Sequence, residues 1–394
     1  MLKSTLLPLL AVSVASFAFA STNQAKAGSD SQRLSGPYTH DNLTIYFVHG
    51  KSADGPVPLT LEEALDKGSV TVHETGSVGQ LAIENTGQDA VLIHAGDIVK
   101  GGQQDRVLTT TMVLKPKSGK VPLDAFCVEQ GRWAARGTED VKRFASSKEM
   151  MPSREAKLAM KAKSRAEPMV TAGIDREVLN DNADPDTANI AQQRAQVGPG
   201  RSAGGVNPQG EVWKNVAGIQ AALSANLGAK VNSATSESSL QLALENEKVS
   251  AARKAYIDAL ETSAEKESDI VGYVFAINGK INSADVYSSN ALFRKLWPRL
   301  LKASATEALG GKTEEAMAEA PAPAAVDAFL AAAASGKSSE REPAKGMKLR
   351  VRDSAKAVDF ETVGADGGLV HRNDGFGNDA GQAHEAAGIR KQPG

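Results

Sequence analysis

Short β-branched and aromatic runs, broken by Gly-containing turns, follow one another from Leu43 to Glu129, and this pattern limits the fold more than any other feature of the chain. The runs occupy 43–48, 69–74, 78–85, 90–94, 106–114 and 121–129. Gly87-Gln88-Asp89 and Lys117-Ser118-Gly119-Lys120 carry turn chemistry suited to antiparallel hairpins. One helix interrupts them. Thr60-Leu61-Glu62-Glu63 is a capping box, in which the Thr hydroxyl accepts from the N3 amide and Glu63 reaches back to the N-cap amide. Gly68 then ends the helix, where a left-handed residue is needed. The spacing predicts a β-rich unit over 42–136, mostly antiparallel.

Downstream, the pattern comes and goes. Residues 137–210 lack a usable period and read as a flexible insert. Over 211–302, Trp213, Val216, Gln220 and Leu223 make one helical stripe, and Leu242, Val249, Tyr256 and Leu260 another. Asn278-Gly279 then joins two strands as a type I′ turn, and Ser288 or Ser289 caps a helix carrying Phe293, Leu296, Trp297, Leu300 and Leu301. Pro298 should kink that helix. Although 41% of residues are hydrophobic, only 5% are aromatic, and alanine supplies most apolar character in 303–345. That stretch therefore reads as an Ala/Pro-rich linker or an isolated helix. Strand-like alternation resumes over 346–372, in three short strands that must join a sheet built earlier, and 373–394 reads as a disordered tail. The fold class is α+β: a β unit packed with a helical segment and a hairpin, plus flexible inserts.

Residues 1–20 read as a secretory signal: Lys3, an apolar run from Leu6, and Ala18-Phe19-Ala20 as the cleavage motif. The expected location is periplasmic or secreted, with no membrane span once the signal is removed. A net charge of −2 argues against nucleic acid as a partner. The single cysteine, Cys127, excludes a disulfide framework and any multi-Cys zinc or iron–sulfur site.

Two adjoining motifs carry a resemblance. Gly96-Asp97-Ile98-Val99-Lys100-Gly101-Gly102-Gln103-Gln104-Asp105-Arg106 and Cys127-Val128-Glu129-Gln130-Gly131-Arg132-Trp133 resemble stretches of the ARG and rhodanese-phosphatase-superfamily-associated domain family. The resemblance is strongest over 42–136 and extends to 211–301. It implies a fold unit and brings no established activity.

Gly101-Gly102 permits a turn with positive φ, which folds 94–99 back on 104–114. If 121–129 pairs beside 106–114, then Asp97, Gln104, Arg106, Glu129 and Arg132 gather at one end of the sheet. Two guanidiniums there suit a carboxylate, phosphate or sugar, or else they tie loop carbonyls together. Cys127 and Arg132 stand five residues apart, as in a rhodanese or phosphatase loop, but no helix starts after them, and Phe126 and Val128 put Cys127 in a strand. His94 and Asp97 fall short of a metal signature, so neither metal nor cofactor is expected. Gly310-Gly311-Lys312-Thr313 is no phosphate loop, because Thr306 stands where its first glycine belongs. The favoured expectation is an exported, non-catalytic module binding a small anionic ligand, a polymer or a protein partner. A hydrolase using Asp97 and Glu129 as acid and base, and a purely structural interaction domain, are the alternatives.

Overall fold

The strand Leu43–His49 (β2) is buried at every position, where a half-exposed strand would alternate, so the sheet it enters must be covered on both faces. The computed structural model describes residues 33–166, 208–313, 318–354 and 357–376. Among these residues there are 17 strands and seven helices, and the fold is α+β. The signal-like stretch 1–20, most of the 137–210 insert and most of the C-terminal tail lie outside the described residues.

The larger sheet has eight antiparallel strands. Leu34–His40 (β1) lies at one edge, followed by β2, Ile270–Ile277 (β12), Lys280–Tyr287 (β13), Leu369–Phe376 (β17), Ala357–Val363 (β16), Met347–Asp353 (β15) and Lys337–Ala344 (β14). The C-terminal strands do join a sheet begun 300 residues earlier, through β17 against β13. The turn Asn278-Gly279 has φ of 49° and 71°, as a type I′ turn requires. Leu43, Ile45 and Phe47 point to one face, where Phe293, Leu296, Trp297 and Leu300 of Asn290–Gly310 (α6) and Tyr256 of Glu247–Leu260 (α5) pack. Tyr46 and Val48 point to the other, under Val326, Phe329, Leu330 and Ala333 of Pro323–Ala334 (α7).

That second layer changes the reading of 303–345. The stretch expected as a linker or an isolated helix holds the end of α6, all of α7 and β14. An alanine-rich helix orders there because α7 sets Val326, Phe329, Leu330 and Ala333 against an apolar sheet face that supplies the rest of the bulk. The region 137–210 likewise contains a strand, Phe144–Met150 (β11), and a helix, Arg154–Ala166 (α2). The stripe Leu242, Val249, Tyr256 and Leu260 belongs to two helices, Leu240–Leu244 (α4) and α5, because Asn246 accepts from the Lys248 amide and starts the second. The helix Pro208–Asn226 (α3) buries Gln209, Val212, Val216, Gln220 and Leu223, so its stripe is rotated and Trp213 is only half-buried. Ser289 caps α6 as expected, and the helix runs on through Pro298.

A second sheet has the order β11, Asp97–Gly101 (β7), Arg106–Leu108 (β8), Gly119–Cys127 (β10), Gln80–Asn85 (β5) and Val70–Ser77 (β4). Its two edges meet at a bridge between His73 and Arg143, which rolls it toward a barrel. The expected strand 106–114 is broken. Thr109-Thr110-Thr111 carries the chain from β8 into Met112–Leu114 (β9) of a small third sheet with Leu59–Thr60 (β3) and Val91–Ile93 (β6). The short helix Leu61–Asp66 (α1) has both hydrogen bonds of its capping box.

Candidate functional site

The β7–β8 hairpin turns on Gly101 and Gly102, at φ of 106° and 54°. A side chain at Gly102 would also fall 2.3 Å from Cζ of Phe144 on the neighbouring strand β11. The tip is thus held tightly, and it presents Asp105, fully buried, to the loop that follows β10. Arg136 of that loop holds both Asp105 oxygens, at 2.8 and 3.2 Å. Arg132 donates from Nε to Glu129 at 2.8 Å, and its terminal nitrogens reach the carbonyls of Gly101, Gly102 and Ala134 and the Asp105 carboxylate. Glu129, also fully buried, accepts from the Asp105 amide at 3.1 Å. Ser239, the N-cap of α4, adds a hydroxyl to Asp105 at 3.0 Å.

The electrostatics follow from burial. Burial, and after it the charge of Glu129, push the Asp105 carboxyl above the ordinary range. Burial also penalises ionised Glu129, but hydrogen bonds from Arg132, Ser236 and the Asp105 amide outweigh it and hold that carboxyl below the range. Arg136 gains from its carboxylates more than burial costs it and stays charged. Asp105, Glu129 and Glu139 and two guanidiniums therefore form a lattice, with the Gln241 amide oxygen and loop carbonyls as its remaining acceptors.

Of the residues expected at the site, Gln104, Arg106, Glu129 and Arg132 surround this hairpin and the end of β10. Arg106 is fully buried, donates to the Gln104 carbonyl at 2.9 Å, lies 3.6 Å from Glu74 and sits 5.6 Å from the Trp133 ring. Asp97 belongs elsewhere. It pairs with Arg299 of α6 at 2.9 Å and accepts from the His94 amide at 2.9 Å, and among the described residues it shares no hydrogen-bond partner with Glu129. Burial raises the Asp97 carboxyl against the pull of Arg299. Cys127 lies in β10, fully buried, and burial pushes its thiol up to about 11. No thiolate is available there for nucleophilic work.

Two further groupings had no local signal. His94, Asp285, Tyr287 and His371 meet between the larger sheet and the β6–β7 loop, all of them buried. Separately, a groove of about 570 Å³ opens between α2, α3, α6 and the β12–β13 hairpin. Ile219, Ala222 and Ile277 make its apolar part, and Glu155, Lys214, Asn215, Asn282 and Glu307 line its polar part. Glu307 accepts at Oε1 from Asn282 (2.9 Å) and from the Arg154 amide (3.1 Å). Burial and the nearby Glu155 charge push its carboxyl up to about 7.

The sequence puts Asp105 at the tip of the glycine hairpin, and Arg136, four residues past Arg132, could have been found beside it. Arg299, 202 residues from Asp97, could not. Together, fold and site define an α+β protein whose central hairpin tip is sealed by arginine–carboxylate pairing. The chain belongs to the ARG and Rhodanese-Phosphatase-superfamily-associated Protein domain family, whose sequence profile matches residues 31–374. No curated protein and no solved structure matches the chain. No helix among the described residues is long and apolar enough to cross a membrane.

Proposed function

We propose that the protein is an exported, non-catalytic binding module whose ligand is a small amphiphilic molecule carrying a hydrogen-bond donor, of the amine class, held in the groove over Glu307. The observation that carries this reading is an excess of acceptors above an apolar floor. Asn282 spends its amide nitrogen on Glu307, which leaves its buried Oδ1 without a hydrogen-bond partner among the described residues. Glu307 and Glu155 line the same groove. A carboxyl raised by burial and by a like charge is relieved when a cation binds beside it. The groove's size also falls within the range of small-ligand sites.

The reading moves the ligand away from the arginines, because Arg132 and Arg136 spend their donors on Glu129, Asp105, Glu139 and loop carbonyls, and Arg106, whose Nε and Nη2 have no hydrogen-bond partner among the described residues, is fully buried beside Glu74. It favours binding over hydrolysis, since Asp97 and Glu129 are each sealed against their own arginine, and acid–base work needs both within reach of one substrate. Calorimetric titration with an amine series from butylamine to spermidine is the test. Saturable binding that is lost in Glu307→Gln and in Ile219→Trp supports the groove. Binding unaffected by both substitutions, or no binding across the series, refutes it. Export predicts a mature chain beginning at Ser21, readable by N-terminal sequencing of the secreted protein.

A further inference from the structure

Two histidines and an aspartate converge in the interior, far apart in sequence and independent of the groove. Asp285 and Tyr287 alternate on β13 and so share a face, and His371 is the cross-strand partner of Tyr287 on β17. The Tyr287 and His371 rings stack at 4.8 Å, and the His94 ring, delivered by the loop after β6, lies 4.5 Å from that of His371. One ligand atom from each of His94, Asp285 and His371 lies within 4.8 Å of the others.

The outer contacts orient these side chains. His94 Nδ1 lies 2.8 Å from the Ala95 carbonyl. A carbonyl only accepts, so the ring proton sits on Nδ1 and Nε2 turns its lone pair inward. His371 Nδ1 meets the Thr111 hydroxyl at 3.1 Å, and that hydroxyl also accepts from the Ala95 amide, so one short segment braces both rings. His371 Nε2 lies 2.8 Å from Asp285 Oδ1, which also accepts from Asn373 at 2.9 Å. Asp285 Oδ2 is buried and has no hydrogen-bond partner among the described residues. An oriented ring pair with outward nitrogens anchored, beside a carboxylate with an unused buried oxygen, is the arrangement that metal ligation needs.

We infer that His94, His371 and Asp285 form a buried site for one divalent first-row transition-metal ion, with the Tyr287 phenol as its fourth neighbour. Ligand atoms about 2.0–2.2 Å from a tetrahedral ion stand about 3.3 Å apart. The His371–Asp285 separation of 2.8 Å and the Tyr287–His94 separation of 2.9 Å must open by tenths of an ångström, and the remaining ligand atoms, which lie within 4.8 Å of one another, must close on the ion. Two imidazoles, a carboxylate and a phenol suit Zn²⁺ and its spectroscopic substitute Co²⁺ better than Ca²⁺ or Mg²⁺. Burial of all four side chains makes the ion a brace between β6, β13 and β17 rather than a centre of turnover. A second grouping, His49 with Glu267 and Asp269, competes poorly. The Arg33 guanidinium already lies 2.6 Å from Glu267 and 3.0 Å from Asp269.

The test is a Co²⁺ titration of the chelator-stripped full chain, read by visible absorption, followed by Zn²⁺ competition and thermal melting. Saturation at one equivalent with a tetrahedral d–d band, loss of the band on adding Zn²⁺, and a higher melting temperature with Zn²⁺ are expected. Asp285→Asn and His94→Asn should weaken binding by at least about 100-fold, while Asp269→Asn leaves it unchanged. A wild-type chain with no band and no Zn²⁺-dependent stabilisation overturns the inference, whether or not the interior variants fold. So does a band that survives Asp285→Asn, or one abolished by Asp269→Asn in a folded protein.

Discussion

Replacing Arg136 by Met removes a guanidinium while keeping an apolar stem of similar length. In the folded chain Arg136 holds both oxygens of Asp105 and lies 3.6 Å from Glu129, and both carboxylates are fully buried. Arg132 would then face two buried carboxylates alone. Removing one member of a buried ion pair costs about 3–5 kcal/mol, most of it the penalty of leaving the other charge uncompensated. A folded body on the order of 300 residues has a melting entropy of about 0.6 kcal/mol/K, so the melting temperature should fall by about 5–8 °C at pH 8. The loss should shrink toward pH 5. The Asp105 carboxyl is already raised by burial and by Glu129, and without Arg136 it takes up a proton more readily and escapes the penalty. Lys230→Met is the control: the Lys230–Glu237 pair is exposed, and its loss should move the midpoint by less than about 1 °C. Scanning calorimetry at both pH values reads all three proteins. A midpoint for Arg136→Met within 2 °C of wild type at pH 8 would refute the lattice as a structural element and return its guanidiniums to the list of ligand-binding groups.

Other outcomes follow from individual residues. The Glu307 carboxyl titrates near 7 when folded and near 4.5 when unfolded, so the folded state holds its proton to higher pH. That favours folding below about pH 4.5, declines as pH rises through 7, and is absent above. Solvent in the groove screens part of the shift, so Glu307→Gln should gain about 1–2 kcal/mol over wild type at pH 8 and nothing at pH 4.5, by urea denaturation at each pH. Cys127, buried with its thiol pushed up to about 11, should resist iodoacetamide in the native chain at pH 8 and react once the chain is unfolded in urea. Rapid native labelling would contradict its placement. Gly102→Ala should destabilise by at least about 2 kcal/mol, through a positive φ and the Phe144 ring together, whereas Gly68→Ala, with open space around it, should cost only its φ strain, about 1 kcal/mol.

Local signals in the chain were enough to establish several of the strands, among them β2, β5, β12 and β13, with the Thr60 capping box, the Asn278-Gly279 turn, the Ser289 cap and the glycine tip at 101–102. Each of these depends on residues only a few positions apart, where backbone sterics and short-range hydrogen bonds decide. The two motifs likewise located the hairpin and loop that carry Glu129 and Arg132. Tertiary structure decided the rest. Whether an alanine-rich stretch such as 323–334 orders depends on the sheet face it covers, and that face comes from β2, β12 and β13. Whether Asp97 joins Glu129 depends on where Arg299 arrives, 202 residues later. The pairing of His94 with His371 and Asp285 depends on β17 docking beside β13. Burial and charge pairing are properties of groups brought together in space, so they became visible only once the sheets had closed.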